Sequence, residues 1–319
     1  MVDKIDREIL SLLDLDSNQS YNSLGKKISR SKQFVAYRIN NLIREGVIRG
    51  FYTDLNLRKM GYSLFNILLQ LHKADKNGEE KLLDYLKKSK QVGFCFRTLG
   101  NWDFFISVKT EGIKEFYNFL GEFHNLFGRF LKKESINFET NSISTNLRFL
   151  SIGGNKVRNR ISVNSLIDEK RKFSDFEKRL ILKLRERPSI KLFDLALELN
   201  KSPQVTNRIM KNLMDEEILI RNRVSISTEK LGFERYLFLI ELHYLNKQQK
   251  ERLFASLQDQ NNITYTMECV GSWNLVCNVY SKNITELTSM IEKLKYECPA
   301  ISSIEFLRVI ESKKETFNL

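Results

Sequence analysis

The sequence predicts an α+β fold made of two copies of one unit, each a winged helix-turn-helix followed by a ferredoxin-like β-α-β-β-α-β module. The tetrapeptide GNWD at residues 100–103 returns as GSWN at 271–274, an offset of 171 (271 − 100). The same offset, without a gap, brings identical residues into register along both halves, among them Leu24 with Leu195, Ser31 with Ser202, Asn41 with Asn212, and Gly61 with Gly232. Within each copy the apolar spacing changes from helical to strand-like. The chain is therefore expected to be two diverged copies.

Composition indicates a globular protein with a polyanionic partner. Hydrophobic residues make up 42% of the 319 residues, and the formal net charge is +13. A charge this large favours duplex DNA as partner. The longest apolar runs fall short of the roughly 18 to 20 residues of a membrane-spanning helix, and the start MVDKIDREIL is charged, so a cytoplasmic protein without membrane contact is expected.

The first fifty residues have the pattern of a helix-turn-helix. Asp3 to Leu15 shows helical apolar spacing, then YNSLGKKI and KQFVAYRINNLIREGVI are separated by the short turn SRS. Ser31 is a suitable N-cap for the second of these helices and Gly46 a suitable stop. The strand-like run IRGFYTDL then follows and is expected to contribute a small wing.

The outward face of that helix carries groups that suit DNA. Arg and Lys neutralise phosphates, Gln and Asn pair with adenine edges, and amides after an N-cap donate to phosphate. The candidate DNA-binding residues are Ser31, Lys32, Gln33, Tyr37, Arg38, Asn41 and Arg44.

The second copy repeats the helix from Ser202, with Pro203 at its first position, and follows it with ILIRNRVSIS as the second candidate wing strand. Its candidate DNA-binding residues are Gln204, Asn207, Arg208 and Lys211. Asp215, Glu216 and Glu217 come next, and Glu217 stands where the first copy has Gly46. We therefore expect the second helix to bind DNA more weakly.

The remainder of each copy alternates strands and helices in the order β-α-β-β-α-β, which places the tetrapeptide in a turn between two strands. The expected domains are a first winged helix-turn-helix (1–58), a first ferredoxin-like module (59–150), a basic linker (151–173), a second winged helix-turn-helix (174–229) and a second module (230–319).

This arrangement, with Gly-x-aromatic-Asp in the central turn, resembles the Lrp/AsnC, or feast/famine, transcription regulators over essentially the whole chain, once per copy. The resemblance implies dimers formed by sheet pairing and an amino-acid effector pocket built partly by the turn. The effector-binding residues it implies are Gly100, Asn101, Trp102 and Asp103, and in the second copy Gly271, Ser272, Trp273 and Asn274. Asp103 would answer an α-ammonium group, whereas Asn274 is neutral, so the second site is expected to be weaker.

Four cysteines and three histidines form no pattern of metal ligands or catalytic groups, so no metal, cofactor or enzymatic activity is expected. Two other functions stay open: a fused sirohaem-decarboxylase-like enzyme, which shares this architecture, and an architectural protein that coats DNA without sequence preference. Because the copies are tethered, residues 61–148 are expected to pack on 232–312 of the same chain as an internal pseudo-dimer; pairing between chains would instead give a higher homo-oligomer.

Overall fold

The computed structural model describes residues 2–72, 76–150, 160–164 and 171–315. Along the chain they form α1 (Lys4–Leu15), α2 (Tyr21–Lys27), α3 (Lys32–Arg44), β1 (Ile48–Leu55), β2 (Ser63–Leu71), α4 (Lys76–Lys88), β3 (Val92–Leu99), β4 (Phe104–Thr110), α5 (Ile113–Phe127), β5 (Leu131–Thr145), β6 (Arg160–Asn164), α6 (Asp175–Glu186), α7 (Leu192–Glu198), α8 (Pro203–Asp215), β7 (Leu219–Ile226), β8 (Glu234–Leu242), α9 (Lys247–Asp259), β9 (Ile263–Gly271), β10 (Leu275–Ser281), α10 (Ile284–Glu297) and β11 (Ile301–Glu315). The order from α1 to β5 recurs from α6 to β11. Apart from β6 and residues 171–173, the predicted linker lies outside the described residues.

These elements form two compact units, and each unit contains elements from both halves of the chain. The first contains α1–α3, β1, α6–α8 and β7, together with residues 145–150. The second contains β2–β5, α4, α5, β8–β11, α9 and α10.

Local sequence explains the helices of the first unit. Asp3 and Asp6 form a capping box at the start of α1, and Ser31 Oγ accepts a hydrogen bond from the Phe34 backbone N–H at the start of α3. Ser202 caps α8 in the same way, and Pro203 occupies its first position. The predicted N-cap at Ser31 and the predicted position of Pro203 are confirmed.

The strands that follow α3 and α8 form one shared wing. β1 and β7 pair antiparallel with each other as a two-stranded sheet, with Phe51 opposite Val224. Each copy supplies one strand to this wing, and these are the two runs that the sequence predicts as wing strands. A lone strand leaves its backbone N–H and C=O groups unpaired, and the equivalent strand of the other copy provides the partners.

The second unit is one sheet in the order β2-β4-β3-β11-β8-β10-β9-β5-β6. Because β2 also pairs with β5, the pairings of the first eight strands close on themselves. The order β5-β2-β4-β3 is that of a ferredoxin-like module, and β11-β8-β10-β9 is the same order in the second half.

The last strand of each module is 15 residues long because its two parts have different partners. Residues 131–138 of β5 pair with β2 and residues 137–144 pair with β9. In β11, residues 301–309 pair with β8 and residues 308–315 pair with β3. Strands of one module are thus hydrogen-bonded to strands of the other within one chain.

In the described part of the chain, apolar clusters hold this unit together. One lies under α4 and α5 and one under α9 and α10. The third, here called the central cluster, draws on both modules and consists of Leu68, Phe96, Trp102, Phe105, Leu237, Leu239, Met267, Cys269, Trp273, Val276 and Leu307. The four cysteines are all buried.

Candidate nucleic-acid interface and ligand pocket

The turn between α2 and α3 is tight. The backbone N–H of Arg30 donates to Gly25 O at 2.8 Å, and Ser29 has a left-handed φ of 55°. A Cβ on Gly25 would lie 2.5 Å from Arg30 O, so the turn needs a glycine here. Behind the turn, Val35, Ile39 and Leu42 bury the inner face of α3.

The outer face of α3 presents most of the predicted DNA-binding residues to solvent. Ser31, Lys32, Gln33, Tyr37 and Arg44 are exposed, and Asn41 is half-buried, with its Oδ1 accepting from Arg44 Nη2 at 2.9 Å. Lys26, Lys27 and Arg30 are exposed beside this face. The arrangement offers several cations for phosphates, with an amide and a phenol for base edges.

Arg38 differs from the other predicted DNA-binding residues because its guanidinium is bonded to carboxylates of the same helix-turn-helix. Its Nε donates to Asp6 Oδ1 at 2.8 Å and its Nη2 pairs with Asp3. The hydrogen bond to Asp3 raises the pKa of the guanidinium further above its ordinary value. Arg38 therefore joins α3 to the capping box of α1.

The second copy keeps the fold of this motif with different surface chemistry. Gln204, Arg208 and Lys211 are exposed on α8, and Asn207 is half-buried. At the positions of Lys26, Lys27 and Arg44, however, the offset of 171 places Leu197, Glu198 and Asp215. Leu197 and its neighbour Phe193 are each 67% exposed. The second helix-turn-helix thus presents fewer cations than the first.

Two of the acids after α8 have partners. Glu216 accepts from Arg171 Nε at 2.5 Å, and Glu217 accepts from Lys59 Nζ at 2.6 Å. Glu217 also has a left-handed φ of 56°, as Gly46 does with 66°. Both chain reversals use the same helix-ending hydrogen bond, from Val47 N to Leu42 O and from Ile218 N to Leu213 O, each 2.9 Å.

The two tetrapeptide turns have the same internal bonding. Asp103 Oδ2 accepts from the Leu71 backbone N–H at 2.7 Å, and Asn274 Oδ1 accepts from the Leu242 N–H at 2.7 Å. The neutral amide oxygen of Asn274 therefore accepts the same hydrogen bond as the carboxylate of Asp103. One Asp103 oxygen is engaged within the protein, whereas the sequence suggested that this side chain faces a ligand.

The tryptophans of these turns point inward. Trp102 is 4% and Trp273 9% exposed, both belong to the central cluster, and neither Nε1 has a hydrogen-bond partner among the described residues. Gly100, Asn101, Gly271, Ser272 and Asn274 are exposed, and Asp103 is half-buried. The exposed part of each turn is thus its glycine end.

An open cavity of about 580 Å³ lies beside the first turn. It is lined by the end of β3, two residues of β8, the start of α10 and two residues of β11, namely Leu99, Gly100, Glu234, Tyr236, Lys282, Asn283, Ile284, Phe306 and Arg308. Glu234 accepts from Arg308 Nη2 and from the Tyr236 hydroxyl, each at 2.5 Å. Burial, together with that bond to Glu234, raises the pKa of Tyr236 to about 12.

The sequence motif at the first turn does not predict the charged residues of the cavity, because these residues belong to the other module. The repeat offers a signal that would have found it: at the offset of 171, Glu234 replaces Ser63, Lys282 replaces Glu111, and Arg308 replaces Asn137. The second copy thus has an acidic residue in place of a serine, a lysine in place of an acidic residue and an arginine in place of an amide. All three charged residues lie beside the first turn.

The equivalent place beside Gly271 has a buried amide where the first turn has Arg308. Asn137 is fully buried, and its Oδ1 accepts from the Trp273 backbone N–H at 3.0 Å. A Cβ on Gly271 would lie 2.5 Å from Ile136 O, so chain and turn are in close contact. The two turns, alike in sequence, have unlike surroundings.

Within the described residues, no three His, Cys, Asp or Glu side chains come close enough together to hold a metal ion. No helix in this part of the chain has the length and apolar character needed to cross a membrane.

Known proteins match both the motif and the fold. Residues 2–49 match the winged helix-turn-helix DNA-binding family. An uncharacterised HTH-type transcriptional regulator of Pyrococcus abyssi is 32% identical over 121 residues, which cover 38% of this chain and 75% of that protein. The HTH-type transcriptional regulator Ptr1 of Methanocaldococcus jannaschii is 28% identical over 122 residues, covering 38% and 81%. The regulatory protein AsnC of Haemophilus influenzae is 27% identical over 119 residues, covering 37% and 79%.

Over nearly the whole chain, the fold resembles the crystal structure of the siroheme decarboxylase NirDL, with a TM-score of 0.63 and coverage of 98% of this chain and 93% of that one. The sequences are 14% identical, so this likeness concerns the fold alone. The sequence matches are to transcription regulators with the same DNA-binding motif. The chain belongs to the Lrp/AsnC family of helix-turn-helix proteins and is a DNA-binding transcription regulator.

Proposed function

We propose that this regulator selects its DNA sites by sequence and that α3 makes the principal contact. The observation that carries this proposal is the exposed face of α3, where Lys32 and Arg44 lie with Gln33 on one side of the helix. Cations on such a face give affinity for phosphates, and amides give discrimination between bases.

α8 has the lesser role in this proposal. It has Gln204 at the place of Gln33 and Arg208 at the place of Tyr37, but Asp215 stands where α3 has Arg44. A carboxylate near the phosphate backbone repels it, so a site read by both helices would be bound unequally. The expected operator is therefore non-palindromic or imperfectly palindromic.

We further propose that the chain arose by tandem duplication, in the domains 1–58, 59–150, 174–229 and 230–319, and acts as its own pseudo-dimer. The strand pairings support this. Leu99 lies opposite Arg308 in the β3–β11 pair. Asn137, which the offset of 171 relates to Arg308, lies opposite Gly271 in the β5–β9 pair, one residue beyond the equivalent of Leu99. Light scattering of the full chain tests it: one chain of 37.6 kDa is expected, and a stable multiple would favour pairing between chains.

The effector site of this proposal is the cavity beside Gly100. It lies at the turn that the family resemblance designates, and it has polar and apolar walls from both modules. Small-molecule sites are commonly clefts of this kind, with a few convergent polar groups on an apolar lining.

A decarboxylase role is not part of the proposal. His72, His124 and His243, the only histidines in the sequence, are all exposed, and His124 pairs with Glu134 at 2.8 Å. No imidazole is therefore placed in an enclosed pocket. Titration with sirohaem is expected to leave the absorbance spectrum of the tetrapyrrole unchanged; a saturable spectral shift with release of carbon dioxide would establish the enzyme instead.

Fluorescence anisotropy with duplexes enriched from a random library tests the DNA proposal. Arg44→Ala is expected to weaken binding and to lower the slope of log affinity against log salt by about 1. The matched control is Asp215→Ala at the equivalent position, which is expected to leave binding unchanged or slightly tighter. Equal weakening by both variants, or no enrichment of any sequence over random DNA, would contradict the proposal.

A further inference from the structure

We infer that each winged half of this chain accepts only the other kind of half as its partner in the shared wing and rejects a second copy of itself. The first half is residues 1–58 and the second half is residues 174–229. The inference rests on the proposed function, in which the two copies act as a pseudo-dimer. It means that every complete wing joins one α3 to one α8 and never two α3 helices.

The shared wing has a pseudo-two-fold axis between Tyr52 and Arg223. The offset of 171 relates these two residues (223 − 52), and they lie opposite each other in the β1–β7 pair. In the same way, α1 packs on β7 and α6 packs on β1. The axis also relates the pairs on either side, which are Gly50 with Ser225 and Asp54 with Arg221. Two identical halves therefore have the backbone positions to form the same ladder, so their side chains decide which halves pair.

The charges near this axis have opposite signs on the two halves. Arg223 Nε donates to Asp14 Oδ1 at 2.7 Å, and the two side chains are 8% and 1% exposed. Asp54 Oδ2 lies 3.9 Å from Arg223 Nη1, and Arg221 faces Asp54 across the strands. We call Asp14, Asp54, Arg221 and Arg223 the wing cluster. Its acids belong to the first half and its arginines to the second.

A pair of two second halves would bring like charges together. Arg223 would face another Arg223 at the axis, and Arg185 would stand at the place of Asp14. Ser225 supplies no acid on the opposite strand, and Glu186, next to Arg185 in the sequence, is exposed. Guanidinium groups in so buried a site repel each other and lose hydration without a carboxylate to compensate them. This pairing is therefore strongly disfavoured.

A pair of two first halves would bury carboxylates without a cation. Tyr52 would face another Tyr52 at the axis, and Gly50 would stand at the place of Arg221. Asp14 would then lose its guanidinium partner in a site where its side chain is 1% exposed. A buried carboxylate without a counter-charge is strongly destabilising. Of the three combinations, the mixed one compensates the charges of the wing cluster.

Distances between spin labels on α3 and α8, measured by pulsed electron paramagnetic resonance, test the inference in the full chain. The labels are attached at Gln33→Cys and Gln204→Cys, whose positions are exposed, whereas the four native cysteines are buried. With these labels alone, one narrow distance distribution is expected. Arg185→Gln, at the position equivalent to Asp14 but outside the wing cluster, is the control and is expected to keep that distribution.

Two variants give the chain halves of one kind. Arg221→Gly with Arg223→Tyr gives the second half the residues of the first, and Asp14→Arg gives the first half the residue of the second. Both are expected to remove most of the narrow component, because the wing cluster then holds charges of mainly one sign. Asp14→Asn added to the first variant, and Arg223→Asp added to the second, are expected to restore it, since each removes the charge conflict.

A narrow distance that persists in both variants would overturn the inference, and so would a loss that neither added substitution repairs. Dilution with unlabelled chain shows whether the two labels belong to one chain. A distance that is lost on dilution would overturn the pseudo-dimer of the proposed function, while the response to the wing-cluster variants still tests which halves pair. The two failures are thus distinguishable on the same samples.

Discussion

Asp103 Oδ2 accepts a hydrogen bond of 2.7 Å from the backbone N–H of Leu71, at the last residue of β2. Asn274 makes the same bond to Leu242 in the second copy. In both, the backbone N–H of the turn residue donates back to the neighbouring strand, to Leu69 O at 2.8 Å and to Ile240 O at 3.0 Å. The turn is thus fastened by a side-chain oxygen that either a carboxylate or an amide supplies.

Asp103→Asn is therefore expected to be nearly neutral for stability, whereas Asp103→Ala should lower the free energy of unfolding by about 1 to 3 kcal/mol, because it leaves the Leu71 N–H without its acceptor. Urea unfolding of both variants measures this. The second copy supplies the control, since Asn274→Asp should also be tolerated. If the asparagine variant is as unstable as the alanine variant, the charge of Asp103 matters in a way that this bond does not explain.

Arg38→Ala is expected to destabilise the first helix-turn-helix by about 2 kcal/mol, because it removes the ion pairs to Asp3 and Asp6 that join α3 to α1. The Asp6 side chain is 8% exposed and would lose a charged partner. Arg44→Ala is the contrasting variant: its side chain is exposed, so stability should change by less than about 0.5 kcal/mol while DNA affinity falls. Thermal unfolding and anisotropy on the same samples compare the two. A stable Arg38→Ala protein with the larger loss of DNA affinity would return Arg38 to the DNA contacts.

Glu217→Gly is expected to raise stability, since φ there is 56° and a side chain in the left-handed region costs roughly 1 kcal/mol. The gain is reduced by loss of the ion pair with Lys59, an exposed pair that contributes about 0 to 1 kcal/mol. Lys59→Ala measures that second effect alone. The reciprocal change, Gly46→Glu at φ 66°, should destabilise by about 1 kcal/mol or more. Loss of stability in Glu217→Gly beyond that in Lys59→Ala would mean that the reversal after α8 is not strained.

Glu177 makes part of the stability depend on pH. Its hydrogen bond from Arg171, together with the capping box at Ser174, lowers its pKa from 4.5 to about 2. A carboxyl whose pKa is lower in the folded state stabilises the protein above its unfolded pKa, and this contribution is lost as pH falls from about 4.5 towards 2. Glu177→Gln should therefore cost on the order of 2 kcal/mol at pH 7 and much less near pH 2. Glu186→Gln, on the exposed end of the same helix, is the control and should show little change at either pH. A cost for Glu177→Gln that is constant between pH 7 and pH 2 would contradict this assignment.

Local structure could be predicted from the sequence, whereas contacts between segments that are distant along the chain could not. The N-cap Ser31, the glycine reversal at Gly46 and the apolar runs of β2 and β10 depend on neighbouring residues, so pattern alone locates them. The pairing of β1 with β7 depends on two segments that are far apart along the chain, and no local pattern records it.

Long-range contacts also explain why some side chains have partners or positions that the sequence pattern does not predict. Arg38 lies on the outward face by helical spacing, yet it bonds to Asp6, which is 32 residues away. The charged lining beside Gly100 comes from β8, β11 and the start of α10, so a motif centred on the tetrapeptide does not contain it. Only comparison of the two copies position by position marks Glu234 and Arg308 as unusual.

The choice of DNA sites by α3 is measured by selecting bound duplexes from a random library and then determining affinities with Gln33→Ala and Gln204→Ala. We expect an enriched, non-palindromic or imperfectly palindromic site, in which Gln33→Ala relaxes the preference at particular base pairs at a cost of roughly 1 to 3 kcal/mol, and Gln204→Ala has a smaller effect. Enrichment of a perfect palindrome with equal losses in the two variants, or binding without any sequence preference, would contradict it.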